Sequence, residues 1–279
     1  MQNKTYLIAK ISILSVLAVT LIGILIFLLI GGTKYHWKWN FQKEQILIYE
    51  KTYAVQELDQ INIAVKSTDI TVKPSQDGQI HITIYGEKEE EATSKLENNQ
   101  LTIIKNSKNH LCFGFCFANN NEIILSLPSE IVTTLNFKTA SGDIWIGNFD
   151  HVSLDAETSS GDIEFDTVKY ANLKTQSGDV EGKNMESASI HTSAGDIHLN
   201  RIIGDTNLKT SSGDIKLNDF QVLENSSIQT SSGDVTVFHI TDCYINTKTR
   251  SGDVHIKENN RFLEIELQIE TSSGDIDVR

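Results

Sequence analysis

The clearest order along this chain is an alternation of apolar and polar residues that starts near residue 58 and runs to the last residue. Ile61, Ile63 and Val65 alternate with polar partners, as do Ile80, Ile82 and Ile84, and again Leu263, Ile265, Leu267 and Ile269 near the other end. A period of two puts successive side chains on opposite faces of an extended backbone, so each run predicts a short strand with one buried face. Two prolines in 279 residues, with abundant Ile, Val, Thr and Ser, agree with strands.

One stretch departs from this alternation. Residues 11–30 carry no charge, and only Ser12, Ser15 and Thr20 interrupt their apolar character. At ~1.5 Å per residue they predict a helix of ~30 Å, the thickness of a bilayer core. The competing reading is a cleaved signal peptide, whose apolar region is only ~7–15 residues long and ends in a small-x-small site. Ile30 suits that site poorly, so residues 1–32 are expected to be a cytoplasmic tail and transmembrane anchor. Lys4 and Lys10 on one side face Lys34, Lys38 and Lys43 on the other, so flanking charge leaves the orientation open. A short tail and a large following body favour a single-pass protein with its body on the extracytoplasmic side. Tyr35, Trp37, Trp39 and Phe41 alternate just beyond, as an interfacial belt would, within a juxtamembrane tether expected over 33–57.

From residue 135 the alternation becomes a repeat of apolar, x, Thr, x, Ser, Gly, Asp, Ile or Val, x, apolar. Its Gly-Asp pairs are Gly142 and Asp143, Gly161 and Asp162, Gly178 and Asp179, Gly195 and Asp196, Gly213 and Asp214, Gly233 and Asp234, Gly252 and Asp253, and Gly274 and Asp275. Successive glycines are 19, 17, 17, 18, 20, 19 and 22 residues apart. A period near twenty that tolerates small insertions marks a stack in which each rung touches only its neighbours. Alternation continues on both sides of each Gly-Asp, which therefore marks a corner between two short strands of one rung. Glycine is expected there for a positive φ, aspartate as an acceptor of backbone N–H groups, and Ser and Thr as hydroxyl ladders between rungs. The expected fold is all-β, a parallel β-helix or solenoid over 58–279, with irregular rungs at 58–134 and regular repeats at 135–279. Ser67, Thr68 and Asp69 read as a degenerate copy. The last copy is expected to end the stack, with Glu264, Glu266 and Glu270 as charged protection of an open edge.

Charge and chemistry narrow the function. A net charge of −13 argues against nucleic acid as a partner, since phosphate binding needs a basic face. A column of corner aspartates raises the question of calcium. Yet each corner guarantees one carboxylate, whereas the ion takes six to eight oxygens, so the aspartates are read as caps and no metal or cofactor is assigned. The acidic run Glu87, Glu89, Glu90 and Glu91 reads as a solvated loop. His110, Cys112 and Cys116 make a weak metal signal, because no fourth ligand stands nearby. A strand there would put Phe113, Phe115 and Phe117 on one face, either towards a core or as an exposed interaction patch, while a disulfide between Cys112 and Cys116 would require a turn. Cys243 is the third cysteine, and three do not make a disulfide framework. His151, His191, His198, His239 and His255 fall at differing repeat positions, and no spacing singles out a Ser-His-Asp set or paired acids. A carbohydrate-active β-helix enzyme is therefore the alternative to a non-enzymatic binding or scaffold protein, with a calcium-binding repeat protein as another and a spacer without ligand as a third.

An anchor followed by Thr-x-Ser-Gly-Asp-Ile/Val rungs, most clearly from Leu135 onward, resembles the bacterial LiaG-like putative adhesin family. The resemblance implies a β-solenoid displayed outside the cell membrane, with links to envelope stress or surface interaction and an envelope protein or glycan as partner. It brings no catalytic residues, and the segment from Cys112 to Cys116 is not part of its motif.

Overall fold

The computed structural model describes residues 46–54, 57–87, 89–106, 121–241 and 243–279. The expected membrane segment at 11–30, the aromatic set at 35–41 and the Phe113, Phe115 and Phe117 patch lie outside them. The strands are β1 Ile46–Tyr53, β2 Gln60–Ala64, β3 Asp69–Pro74, β4 Ile80–Gly86, β5 Glu91–Glu97, β6 Gln100–Asn106, β7 Glu122–Leu127 and β8 Thr133–Lys138. They continue as β9 Ile144–Asn148, β10 Val152–Glu157, β11 Ile163–Thr167, β12 Tyr170–Lys174, β13 Val180–Met185, β14 Ser187–His191, β15 Ile197–Gly204 and β16 Thr206–Lys209. The last are β17 Ile215–Val222, β18 Ser226–Gln229, β19 Val235–Val237, β20 Ile240–Thr241, β21 Tyr244–Lys248, β22 Val254–Ile256, β23 Glu266–Glu270 and β24 Ile276–Val278.

These strands form two sheets. One runs β1-β4-β7-β3-β9-β11-β13-β15-β17-β19-β24-β22, with β20 beside β17, and the other β21-β23-β18-β16-β14-β12-β10-β8-β2-β6-β5. Each pass of the chain gives one strand to each sheet and pairs in parallel with the passes above and below, which is a β-solenoid. Equivalent repeat positions meet in register: Ile144 pairs with Ile163, Val180 follows, then Ile197, Ile215 and Val235. All of these are buried between the sheets, as are Leu173, Ile190, Leu208 and Ile228 from the facing sheet. Burying one such side chain contributes roughly 1.5–3 kcal/mol, and the alternation in the sequence supplies one every second residue. Adjacent layers also exchange volume. The Phe165 ring fills the space above its partner Gly182, where a Cβ would lie 2.3 Å from the ring.

Spatial order departs from chain order at both ends. The layer β2–β3 lies between β6–β7 and β8–β9, and the layer β23–β24 lies between β18–β19 and β21–β22. The last repeat copy is thus an interior layer, bonded on both sides. This overturns the expectation that Glu264, Glu266 and Glu270 guard a terminal edge. The outermost layer is β21–β22, and its β21 edge is covered differently. Asn259 accepts the Ile245 N–H through Oδ1 at 3.0 Å and donates Nδ2–H to the Ile245 carbonyl at 2.7 Å, standing in for a missing strand.

At the opposite end the parallel ladder is closed by antiparallel strands, β4 on β7, β1 on β4 and β5 on β6. Part of the expected tether is therefore sheet, since β1 occupies 46–53. The acidic run also differs from expectation. Glu90 is buried and its Oε2 lies 2.7 Å from Nζ of the equally buried Lys105, which also reaches the Thr68 hydroxyl at 3.4 Å. The Glu87 N–H donates to the same Glu90 carboxylate at 3.1 Å. Glu90 is a charge inside the closing end of the stack, where only a paired acid is tolerated.

Candidate interaction surface

The eight Gly-Asp pairs form one column at the turn between the two strands of each layer. Every aspartate N–H donates to Oδ1 of the aspartate one layer below. The ladder runs from Asp69 through Asp143, Asp162, Asp179, Asp196, Asp214, Asp234 and Asp275 to Asp253, with bonds of 2.8–3.0 Å. Asp69 belongs to the degenerate copy. The order Asp234, Asp275, Asp253 repeats the inserted last layer. Each aspartate carbonyl in turn accepts an N–H from the layer below, as Asp214 does from Ile197 at 2.9 Å. A charged acceptor between layers makes each of these a charge-assisted bond.

The glycines are there for a different reason from the expected one. Only Gly252, in the edge layer, has a positive φ, at +153°. At all eight corners a Cβ would lie 1.8–2.1 Å from the carbonyl oxygen of the residue one layer below, Thr68 for Gly142 and a glycine for the others. Close stacking of one turn on the next, not an unusual backbone angle, demands the residue. Threonine completes the corner. The hydroxyls of Thr158, Thr175 and Thr192 accept the N–H of the glycine three residues on at 3.0–3.1 Å and donate to the glycine carbonyl below at 3.4 Å. These hydroxyls are buried, so the column satisfies backbone groups that water cannot reach.

Asp69 is the member of this column whose carboxyl is held above its usual range, by burial first and then by the carboxylates of Asp143 and Glu122, against the lowering effect of the Asp143 N–H. From Asp69 to Asp275 each aspartate of the column has its Oδ1 engaged by the N–H of the next layer, whereas Asp253, in the edge layer, only donates. Among the described residues no three His, Cys, Asp or Glu side chains converge as a ligand set.

The outward faces carry the side chains open to a partner. On the sheet of β13 a shallow groove is lined by Glu164, Glu181, His198, Lys216, Asn200 and Asn218. On the other sheet one column runs in register through Lys138, Glu157, Lys174, His191, Lys209, Gln229, Glu270 and Lys248. Two residues earlier a parallel column of Asn136, Asp155, Asn172, Ser189, Asn207 and Ser227 presents amides and hydroxyls. The histidines stay apart: His191 and His198 lie on different sheets, and His255 faces Asp277 in the edge region. Sequence reasoning named these histidines but missed the lysines beside His191, whose register needs the layer alignment.

The Toastrack DUF4097 family model matches residues 58–279. Among solved structures, a putative adhesin from Bacteroides fragilis is 18% identical, covers 85% of this chain and 98% of its own, and superposes with a TM-score of 0.52. A putative lipid binding protein from Parabacteroides distasonis is 17% identical over 83% of this chain and 96% of its own, with a TM-score of 0.46. A putative cell adhesion protein from Clostridium sporogenes is 14% identical over 84% of this chain and 99% of its own, with a TM-score of 0.27. At these identities the likeness concerns the fold alone, and it rests on the first structure. No match is found among curated proteins.

Proposed function

Because this chain belongs to the Toastrack DUF4097 family, we propose that it is a membrane-anchored, extracytoplasmic interaction or scaffold protein of the bacterial cell envelope, adhesin-like in its mode of action. The observation that carries the reading is the pair of long sheets whose outward faces are in-register ladders of polar side chains. Such a solenoid offers an extended surface to a partner rather than a single cleft. The apolar segment at 11–30 is the anchor in this proposal, with the solenoid outside the membrane. The adhesin description of the Bacteroides fragilis neighbour is in keeping with it. Within the family the LiaG-like branch, with its association with envelope stress, is the closer assignment we propose. The partner is an envelope protein or glycan.

Protease treatment of intact cells producing the chain tests this reading. Digestion of the solenoid with the amino-terminal segment left in the membrane fraction is the expected result. A body protected until the cells are lysed would refute it.

A further inference from the structure

We infer that β22, the uncovered edge of the outermost layer, pairs antiparallel with β22 of a second copy of this chain, about a two-fold axis through His255. The inference goes beyond the reading above and rests on the fold alone. The two edges of this layer are finished differently. The loop leaving β22 crosses to β21, where Asn259 holds both backbone groups of Ile245, and Ile245 and Cys243 are buried. β22 instead ends its sheet with no strand beyond it. Val254 is 45% exposed there, although Ile276 and Val235 in the same row are buried. Exposed edges are ordinarily disarmed by an inward charge, a proline or a bulge. The inward positions of β22 are Val254 and Ile256, which offer no such protection.

The backbone sets the phase of the pairing. The Ile276 N–H donates to the Asp253 carbonyl and the Lys257 N–H to the Val278 carbonyl, both at 2.9 Å. Asp253, His255 and Lys257 therefore turn their backbone groups towards β24, and those of Val254 and Ile256 point away from the stack. In an antiparallel pair centred on His255, Val254 stands opposite the second copy's Ile256 and the two exchange both hydrogen bonds. His255 then occupies the non-hydrogen-bonded site on the axis.

The side chains are self-complementary in the same register. Asp253 and Lys257 are exposed and stand symmetrically about His255, so each meets its opposite charge across the axis. Flanking charges guard an edge when they repel an approaching copy, and these attract it. Sliding the register by two residues in either direction separates Asp253 from Lys257. Asp253 is also the member of the aspartate ladder whose carboxylate receives no N–H from a further layer. The second copy's Lys257 supplies that donor. On the inward face, Val254 against Ile256 removes from water the apolar surface that the missing layer leaves bare. Because the loop occupies the β21 edge, only one of the two sheets continues into the second copy. Contacts of this size are transient, so the pair is read by trapping it.

The test uses the full chain in non-ionic detergent. His255→Cys places two thiols across a non-hydrogen-bonded site with Cα atoms ~4.5 Å apart, within disulfide reach. Under copper phenanthroline oxidation this variant is expected to give at least about fivefold more disulfide-linked dimer than wild type or Lys216→Cys, an exposed outward position of an interior layer. Adding Asp253→Lys or Lys257→Asp to His255→Cys should each lower the linked fraction about threefold or more. Mixing those two variants, or placing both substitutions in one chain, should restore it, which misfolding cannot imitate. No linking by His255→Cys, equal linking by Lys216→Cys, or a yield indifferent to the charge substitutions would overturn the proposal. In cells producing the His255→Cys chain, a linked product containing another protein in place of a second copy would likewise overturn it.

Discussion

Replacing Gly195 separates two accounts of the repeat glycine. If the residue served a left-handed backbone, asparagine would be tolerated and alanine would cost about 1 kcal/mol. The structure requires instead that both fail alike, because a Cβ at Gly195 would lie 1.9 Å from the Gly178 carbonyl oxygen, where real Cβ contacts do not come under 3.0 Å. The two layers must therefore part locally by about 1 Å. The bonds that cross that gap include Asp196 N–H to Asp179 Oδ1 at 2.8 Å, Ala194 N–H to the Gln176 carbonyl at 3.0 Å, and the Thr192 hydroxyl to the Gly178 carbonyl at 3.4 Å. Stretching them beyond hydrogen-bond range forfeits roughly 0.5–1.5 kcal/mol each, so Gly195→Ala and Gly195→Asn should each cost about 3 kcal/mol. For a domain of this size that lowers the melting temperature by roughly 6–12 °C. Gly78 is the control, with φ +71° and nothing within 4 Å of a Cβ. There asparagine should be nearly neutral and alanine should cost about 1 kcal/mol. Differential scanning calorimetry of the four variants checks this. A Gly195→Asn protein melting within about 2 °C of wild type would refute the close-approach argument.

Three further outcomes follow from other parts of the stack. Thr192→Val removes a hydroxyl that serves both the Gly195 N–H and the Gly178 carbonyl, and should cost about 2–3 kcal/mol in urea unfolding, whereas Thr192→Ser should recover most of it. Asp69→Asn keeps the acceptor for the Asp143 N–H and removes a carboxylate whose folded pKa is raised, chiefly by burial. Such a group binds its proton more tightly when folded, so its ionisation costs stability as pH rises from the ordinary carboxylate range through the raised value. The variant should therefore melt higher than wild type at neutral pH, with the difference fading below about pH 4, and a lower melting temperature at pH 7 would contradict it. Glu90→Gln strands the Lys105 ammonium inside the closing end and should cost about 3–5 kcal/mol, while Glu90→Gln/Lys105→Met should restore most of the loss in the same unfolding experiment.

The strands, their buried faces and the stacked architecture were legible in the sequence because they depend on local regularities. Alternation assigns Ile144, Ile163 and Val180 to the core before any partner is known, and eight near-identical corners can be satisfied together only by stacking. The corner chemistry was legible in part. Aspartate as an acceptor of backbone N–H groups could be anticipated, but its donor belongs to the next layer rather than to its own turn. The reason for glycine could not be anticipated, since a positive φ and a carbonyl one layer away select the same residue.

What the tertiary structure alone decided is non-local. Each Ser-Gly-Asp copy is nearly interchangeable with its neighbours, so the sequence contains no instruction that places β23–β24 inside β21–β22 or β2–β3 inside β6–β7. That order depends on which loops can span the layers. Glu90 reads like the other glutamates in its run, and only the fold brings Lys105 to it. The register of Lys174, His191 and Lys209 in one column is likewise invisible along a chain that spaces them 17 and 18 residues apart. The alternation along the sequence determined which side chains leave water, because burial follows from a two-residue period. Which charges face one another was decided by layer register, because that is set by hydrogen bonds between segments distant in the chain.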